Sequence, residues 1–196
     1  MAATLGFAND GFDAVKTAND CEFASRPREH PDGSAMQAVC DWPEVEPDVL
    51  ARIMADLGDY ERLIFALVES EVRERTADRL LVYQRQSVFG ISDREVLLWV
   101  TIDESPERTL VSWRAASELP LDLRKGAIRS PRNEGYWRVE PLAGGGARVT
   151  HRIGVDAGGS IPMWIVRLVR TRGFVRVLRD VRAVGAAASV ESNAPG

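Results

Sequence analysis

The stretch from Ser160 to about Val184 constrains the fold more than any other. At about 100° per residue, Met163, Val166, Phe174, Val177, Val181 and Val184 share one helical face. Trp164, Leu168, Val175 and Leu178 widen that face, while Arg172, Arg176 and Arg179 point away from it. Ser160 supplies a cap and Pro162 suits a first turn, so the spacing predicts one long amphipathic helix starting there. A stripe this wide cannot be buried by the helix alone and needs a large apolar surface to cover.

The preceding chain supplies such a surface. Short strand-like pieces run over 12–17, 21–26 and 35–40, the last after the turn-forming His30-Pro31-Asp32-Gly33. Val49, Ile53, Met54 and Leu57 then recur at helical spacing within 44–57, closed by Gly58. Strand-like segments return over 63–73, 80–87, 95–102, 109–115, 136–142 and 147–155. Their joins, Thr76-Ala77-Asp78, Ser105-Pro106-Glu107 and Gly144-Gly145-Gly146, carry turn chemistry suited to antiparallel neighbours. The stretch 117–133 shows no alternation and reads as an irregular connection over the sheet. The order predicts an α+β fold, a long antiparallel sheet curved around a C-terminal helix with room between them. Residues 1–184 form one domain in this reading, and the small, polar 185–196 is a fraying tail.

Composition narrows the function classes. The 196 residues are 45% hydrophobic and 28% charged, as expected of a soluble globular chain. A net charge of -4 argues against a nucleic-acid binder, which needs a strong positive field. The charge is uneven: residues 1–70 hold 5 basic and 14 acidic side chains, leaving an excess of arginine in the C-terminal half. Met1 to Asp13 carries no basic residue and is interrupted by Asp10 and Asp13, unlike a secretory signal. The expectation is a cytoplasmic protein whose Cys21 and Cys40 are reduced thiols. Two cysteines outside a CxxC spacing and two histidines do not compose a zinc site.

Four motifs, in this order, carry a resemblance to a known family: Ile91-Ser92-Asp93-Arg94-Glu95-Val96, Gly126-Ala127-Ile128-Arg129, Tyr136-Trp137-Arg138-Val139-Glu140-Pro141-Leu142, and Val155-Asp156-Ala157-Gly158-Gly159-Ser160-Ile161-Pro162. Together they resemble the START (steroidogenic acute regulatory protein-related lipid transfer) domain over most of the chain. The resemblance implies a helix-grip fold, with an antiparallel sheet gripping the last helix around an apolar tunnel for one lipid. It implies a binding and transfer protein with no cofactor and no catalytic group. The partner it implies is a lipid or other hydrophobic small molecule; the uneven charge adds the expectation of a transient, salt-sensitive contact with an anionic membrane surface through the arginines at 167, 170, 172, 176, 179 and 182.

On the same resemblance, Arg94 lies inside the tunnel and orients the polar end of the ligand, or else forms a structural ion pair with Glu69 or Glu71. Phe89 and Ile91 belong to a loop at the tunnel mouth, and Trp113, Met163, Val166, Arg170 and Phe174 line the same space. Catalytic readings have less support. His30 falls in a turn and His151 on a strand, both read as structural, with no nucleophile elbow or metal spacing nearby. Gly144-Gly145-Gly146 lacks the Lys-Ser/Thr of a phosphate loop and reads as a hairpin turn. The alternatives are a polyketide cyclase or aromatase on the same scaffold, and a lipid-sensing interaction module.

Overall fold

The computed structural model describes residues 12–18, 20–26 and 34–192. Three strands come first, β1 (Asp13–Ala18), β2 (Cys21–Arg26) and β3 (Ala35–Trp42). Helix α1 (Pro47–Ala55) and a 3-10 segment (Leu57–Arg62) follow. Next are β4 (Leu67–Arg75), β5 (Leu80–Gln86), β6 (Arg94–Ser105), β7 (Arg108–Ala115), β8 (Ile128–Arg129), β9 (Arg132–Pro141) and β10 (Ala147–Asp156). The described residues close with one continuous helical rod: α2 (Met163–Leu168), a π-helical segment (Val169–Gly173) and α3 (Phe174–Ser192).

The strands form one sheet in the order β1-β2-β3-β10-β9-β7-β6-β5-β4, antiparallel throughout, with β8 pairing in parallel against β6. Joining β3 to β10 makes the first and last strand groups neighbours, so a chain of hairpins becomes one continuous surface. Alternate residues face inward, among them Val111 and Trp113 on β7, Trp137 and Val139 on β9, and Val149 and His151 on β10. The same core takes in Leu50 and Met54 of α1 and Phe174, Val177, Leu178 and Val181 of α3, so both helices pack on the inner face. On the outer face, Leu119 and Leu121 of the 117–127 connection cover Tyr83, Leu97 and Ala116.

The β9–β10 hairpin shows why its turn is glycine-rich. Gly145 and Gly146 have φ of +90° and +85°, and a Cβ at Gly146 would lie 2.4 Å from the Pro43 Cα. Only glycine takes that conformation without strain and tolerates that approach.

Five expectations need correction. The stretch 117–133 is not irregular throughout, since β8 pairs with β6 and β9 already begins at Arg132. Ser160 does not cap the last helix: Pro162 is the cap residue and its carbonyl accepts the Ile165 amide at 2.9 Å. The fourth strand starts at Leu67 rather than Leu63, because a 3-10 turn and Ala66, at φ +68°, intervene. The stretch from Gly185 to Ser192 is helical rather than frayed. Its small residues permit close packing: Gly185 lies against Val45 and Leu50, and the Ser189 hydroxyl accepts the Glu46 amide at the start of α1 at 2.8 Å. Finally, Cys21 and Cys40 are not free thiols but a disulfide. The β2–β3 register sets them directly opposite each other, a proximity that their separation of 19 residues conceals.

Candidate functional site

The interior between sheet and helix is lined on one side by an aromatic row. Trp137 and His151 are cross-strand partners on β9 and β10, and their rings stack at 3.6 Å with 7° between planes. Phe174, the first residue of α3, stacks on His151 at 5.3 Å and meets Phe23 of β2 edge-on at 6.2 Å. Trp113 of β7 closes the row 6.0 Å from the imidazole. Its indole lies over Gly135, where a Cβ would stand 2.8 Å from the ring, and its Nε1 donates to Asn133 Oδ1 at 2.9 Å.

His151 is 3% exposed, and its Nδ1 lies 3.2 Å from the Tyr136 carbonyl oxygen. A carbonyl only accepts, so Nδ1 carries the proton and Nε2 is left as a lone pair. Desolvation among these rings pushes its pKa down to about 3, against which the Tyr136 contact acts in the raising direction. The imidazole is therefore neutral at physiological pH.

Arg94 opens β6 at one end of the interior and is 5% exposed. Its Nε donates to the Ala157 carbonyl at 3.2 Å and one terminal nitrogen to the Gly158 carbonyl at 3.2 Å. The other terminal nitrogen donates to the Ser92 carbonyl. Gly158 and Gly159 have φ of +66° and +63°, the left-handed conformation that bends this connection toward the guanidinium. Neither expected carboxylate is its partner. Glu69 pairs with Arg85 at 3.0 Å and Arg124 at 2.7 Å, and Glu71 with Arg73 at 3.3 Å. Arg94 instead ties the β5–β6 loop to the connection leading into the last helix.

The other sequence-selected residues separate into groups. Trp113 and Phe174 meet around His151, while Ile91 and Val166 are half-buried. Phe89 stands 98% exposed at the tip of the β5–β6 loop. The side chains of Met163 and Arg170, like the whole of His30, lie outside the described residues. Of the helix arginines, Arg176 and Arg179 reach Asp180 at 3.3 and 2.8 Å, and Arg182 reaches Glu44 at 2.6 Å and Asp20 at 3.2 Å. No helix among the described residues is long and apolar enough to cross a membrane.

Sequence reasoning missed His151 as a member of the interior. The signal was present in the alternation Val149, His151, Ile153, which places a polar residue in an inward apolar row.

No family model matches the sequence. An uncharacterized protein of Pseudomonas aeruginosa is 23% identical over 154 residues, which is 77% of this chain and 76% of that one. Among solved structures, a STAR-related lipid transfer protein fragment from Xanthomonas axonopodis superposes at TM-score 0.74 with 23% identity, covering 89% of this chain and 98% of that one. Human StAR-related lipid transfer protein 5 superposes at 0.78 with 13% identity, covering 95% and 89%. The Zhui aromatase/cyclase from Streptomyces is similar at 0.55 with 17% identity, covering 83% and 97%.

Proposed function

For a chain with the helix-grip fold of START-related lipid-transfer domains, we propose that it binds one lipid or similarly apolar small molecule between sheet and C-terminal helix and transfers it to membranes or enzymes. The observation that carries this reading is an apolar end beside the interior. Phe89 is 98% exposed, Trp164 at the start of the last helix 63%, and Val68 of β4 44%. They share one end of the molecule: Leu67 pairs with Gln86 just before the Phe89 loop, and Arg94 joins that loop to the connection ahead of Trp164. Aromatic side chains at such an end suit insertion at a membrane interface.

In this reading Arg94, Ile91, Trp113, Met163, Val166, Arg170 and Phe174 bound the ligand, and Phe89 touches the bilayer. Each methylene taken out of water contributes about 0.8 kcal/mol, so apolar burial alone accounts for affinity and no cofactor is needed. Attraction of the helix to anionic lipid is weak and screened by salt, because Arg176, Arg179 and Arg182 are already paired with carboxylates. A cyclase on the same fold would need an interior base, and an imidazole with a pKa of about 3 is a poor one at neutral pH.

Native mass spectrometry of the purified protein tests the proposal, with an adduct of lipid mass as the expected result. No adduct, together with no uptake from vesicles of mixed phospholipid and sterol, overturns it. Phe89→Asp combined with Trp164→Asp should slow transfer between vesicles while leaving the melting temperature unchanged. Transfer at the parental rate removes the role given to this end.

A further inference from the structure

A groove on the outer face of the sheet lies apart from the interior. It has a volume of about 260 Å³ and is lined by Arg26, Ala35, Glu134, Tyr136, Arg152 and Gly154, with Gly135 beside them. Strand register explains the opening. Tyr136 pairs with Arg152, Glu134 with Gly154 and Arg26 with Ala35. Their strand neighbours Trp137, Ile153 and Met36 pack inward, so alternation turns these side chains out. Ala35 and Gly154 present a methyl group and a hydrogen among long side chains, and the gap above them is the groove. Arg132 lies over Gly154, where a Cβ would stand 2.3 Å from its guanidinium, and donates to the Ser34 carbonyl at 3.2 Å and to Glu134 at 3.0 Å.

The described side chains make this groove positive. Arg132 balances Glu134, and Arg26 and Arg152 add two further cations. Both of these guanidinium groups lie over the Phe12 ring, 5.4 and 4.8 Å from its centroid, and Arg26 is 2% exposed. One ring thus holds two like charges close together, a placement that favours an anion beside them. Each arginine has contacts within the protein, and a guanidinium carries several N–H donors in one plane, so it can take a further acceptor without giving those contacts up. We propose that this groove is a second binding site, for a small organic carboxylate. Its volume is below that of pockets for drug-sized ligands, so it admits a small acid rather than a lipid. A planar carboxylate fits a guanidinium fork through two parallel hydrogen bonds. Glu134 repels a dianionic phosphate more strongly than a monoanion. The Tyr136 ring and the floor of Ala35 and Gly154 accept a flat apolar body. The site is separate from the interior and stands or falls independently of the lipid-binding function.

Amide NMR titration of the parent protein with benzoate, benzamide and inorganic phosphate tests the proposal. Benzoate should shift the amides of Gly135 and Gly154 and bind about tenfold more tightly than benzamide, its neutral counterpart. Arg152→Gln should weaken benzoate about tenfold and leave benzamide as before. Equal binding of benzoate and benzamide, phosphate bound as tightly as benzoate, or a preference for benzoate that survives Arg152→Gln each overturns it. Displacement of benzoate by a long-chain alcohol also overturns it, because the acid would then sit in the interior.

Should Arg152→Gln not fold, Ala35→Leu keeps both arginines and fills the groove, so benzoate should no longer shift the Gly154 amide. The parent spectra also decide on their own. Benzoate that leaves the amides of Gly135 and Gly154 in place overturns the site.

Discussion

Trp137 and His151 sit directly across from one another on β9 and β10, and their rings lie 3.6 Å apart and within 7° of parallel. The pairing is the sheet's equivalent of a helical side-chain contact, with register bringing two flat rings face to face. Phe174 brings the terminal helix onto the same imidazole at 5.3 Å, so one residue joins sheet to helix.

The first prediction concerns pH. His151 is held at about 3 in the folded chain against about 6.5 unfolded, so between these values only the unfolded state takes the proton. Stability is then fully present above pH 6.5 and falls as pH drops toward 3, by about 1.4 kcal/mol per unit from this group. Urea unfolding at pH 7, 6, 5 and 4 checks the slope, and His151→Phe should flatten it. A parent and variant with equal slopes would mean that the imidazole is solvated.

Arg94→Leu leaves the carbonyls of Ser92, Ala157 and Gly158 without their charged donor. The expected cost is about 3 kcal/mol of unfolding free energy. Amide exchange in 157–166 should quicken before that of β9 and β10. Unchanged stability would show that these carbonyl contacts are not structural and would leave Arg94 only its place beside the ligand.

Reduction of Cys21–Cys40 opens a loop of 19 residues. Loop-closure entropy gives about 3 kcal/mol for a crosslink of this size. Protein isolated under oxidising conditions should yield no titratable thiol even in denaturant, and dithiothreitol should lower its melting temperature. A protein with two free thiols in denaturant and an unchanged melting point would show that the crosslink is not formed.

Ser189→Ala tests the end of the rod. Its hydroxyl accepts the Glu46 amide and donates to the Gly185 carbonyl, both at 2.8 Å. The variant should lose about 1 kcal/mol, and truncation after Val184 should lose more because Gly185 and Ser189 are buried. Full stability after truncation would mean that α3 ends functionally where the apolar stripe does.

Within the described residues, the sequence by itself determined most of the strands, the order of elements and the faces that turn inward. Cys21–Arg26 and Ala147–Asp156 are legible because alternation has a period of two, a property of neighbouring residues. Phe174, Val177 and Val181 of the terminal stripe were legible for the same local reason and face the core, whereas Val184 and Trp164, read onto the same face, are exposed.

The tertiary structure alone decided which residues meet. Arg94 takes carbonyls 63 and 64 residues away rather than a carboxylate, because the glycine pair at 158–159 bends a connection across it. Cys21 reaches Cys40, and Gly185 lets the helix end settle on Val45 where composition suggested a loose tail. His151 looks like an ordinary strand residue until the β9–β10 register and the arrival of Phe174 enclose it. Local periodicity sets the direction of each side chain, whereas partner choice depends on register and packing summed over the whole sheet.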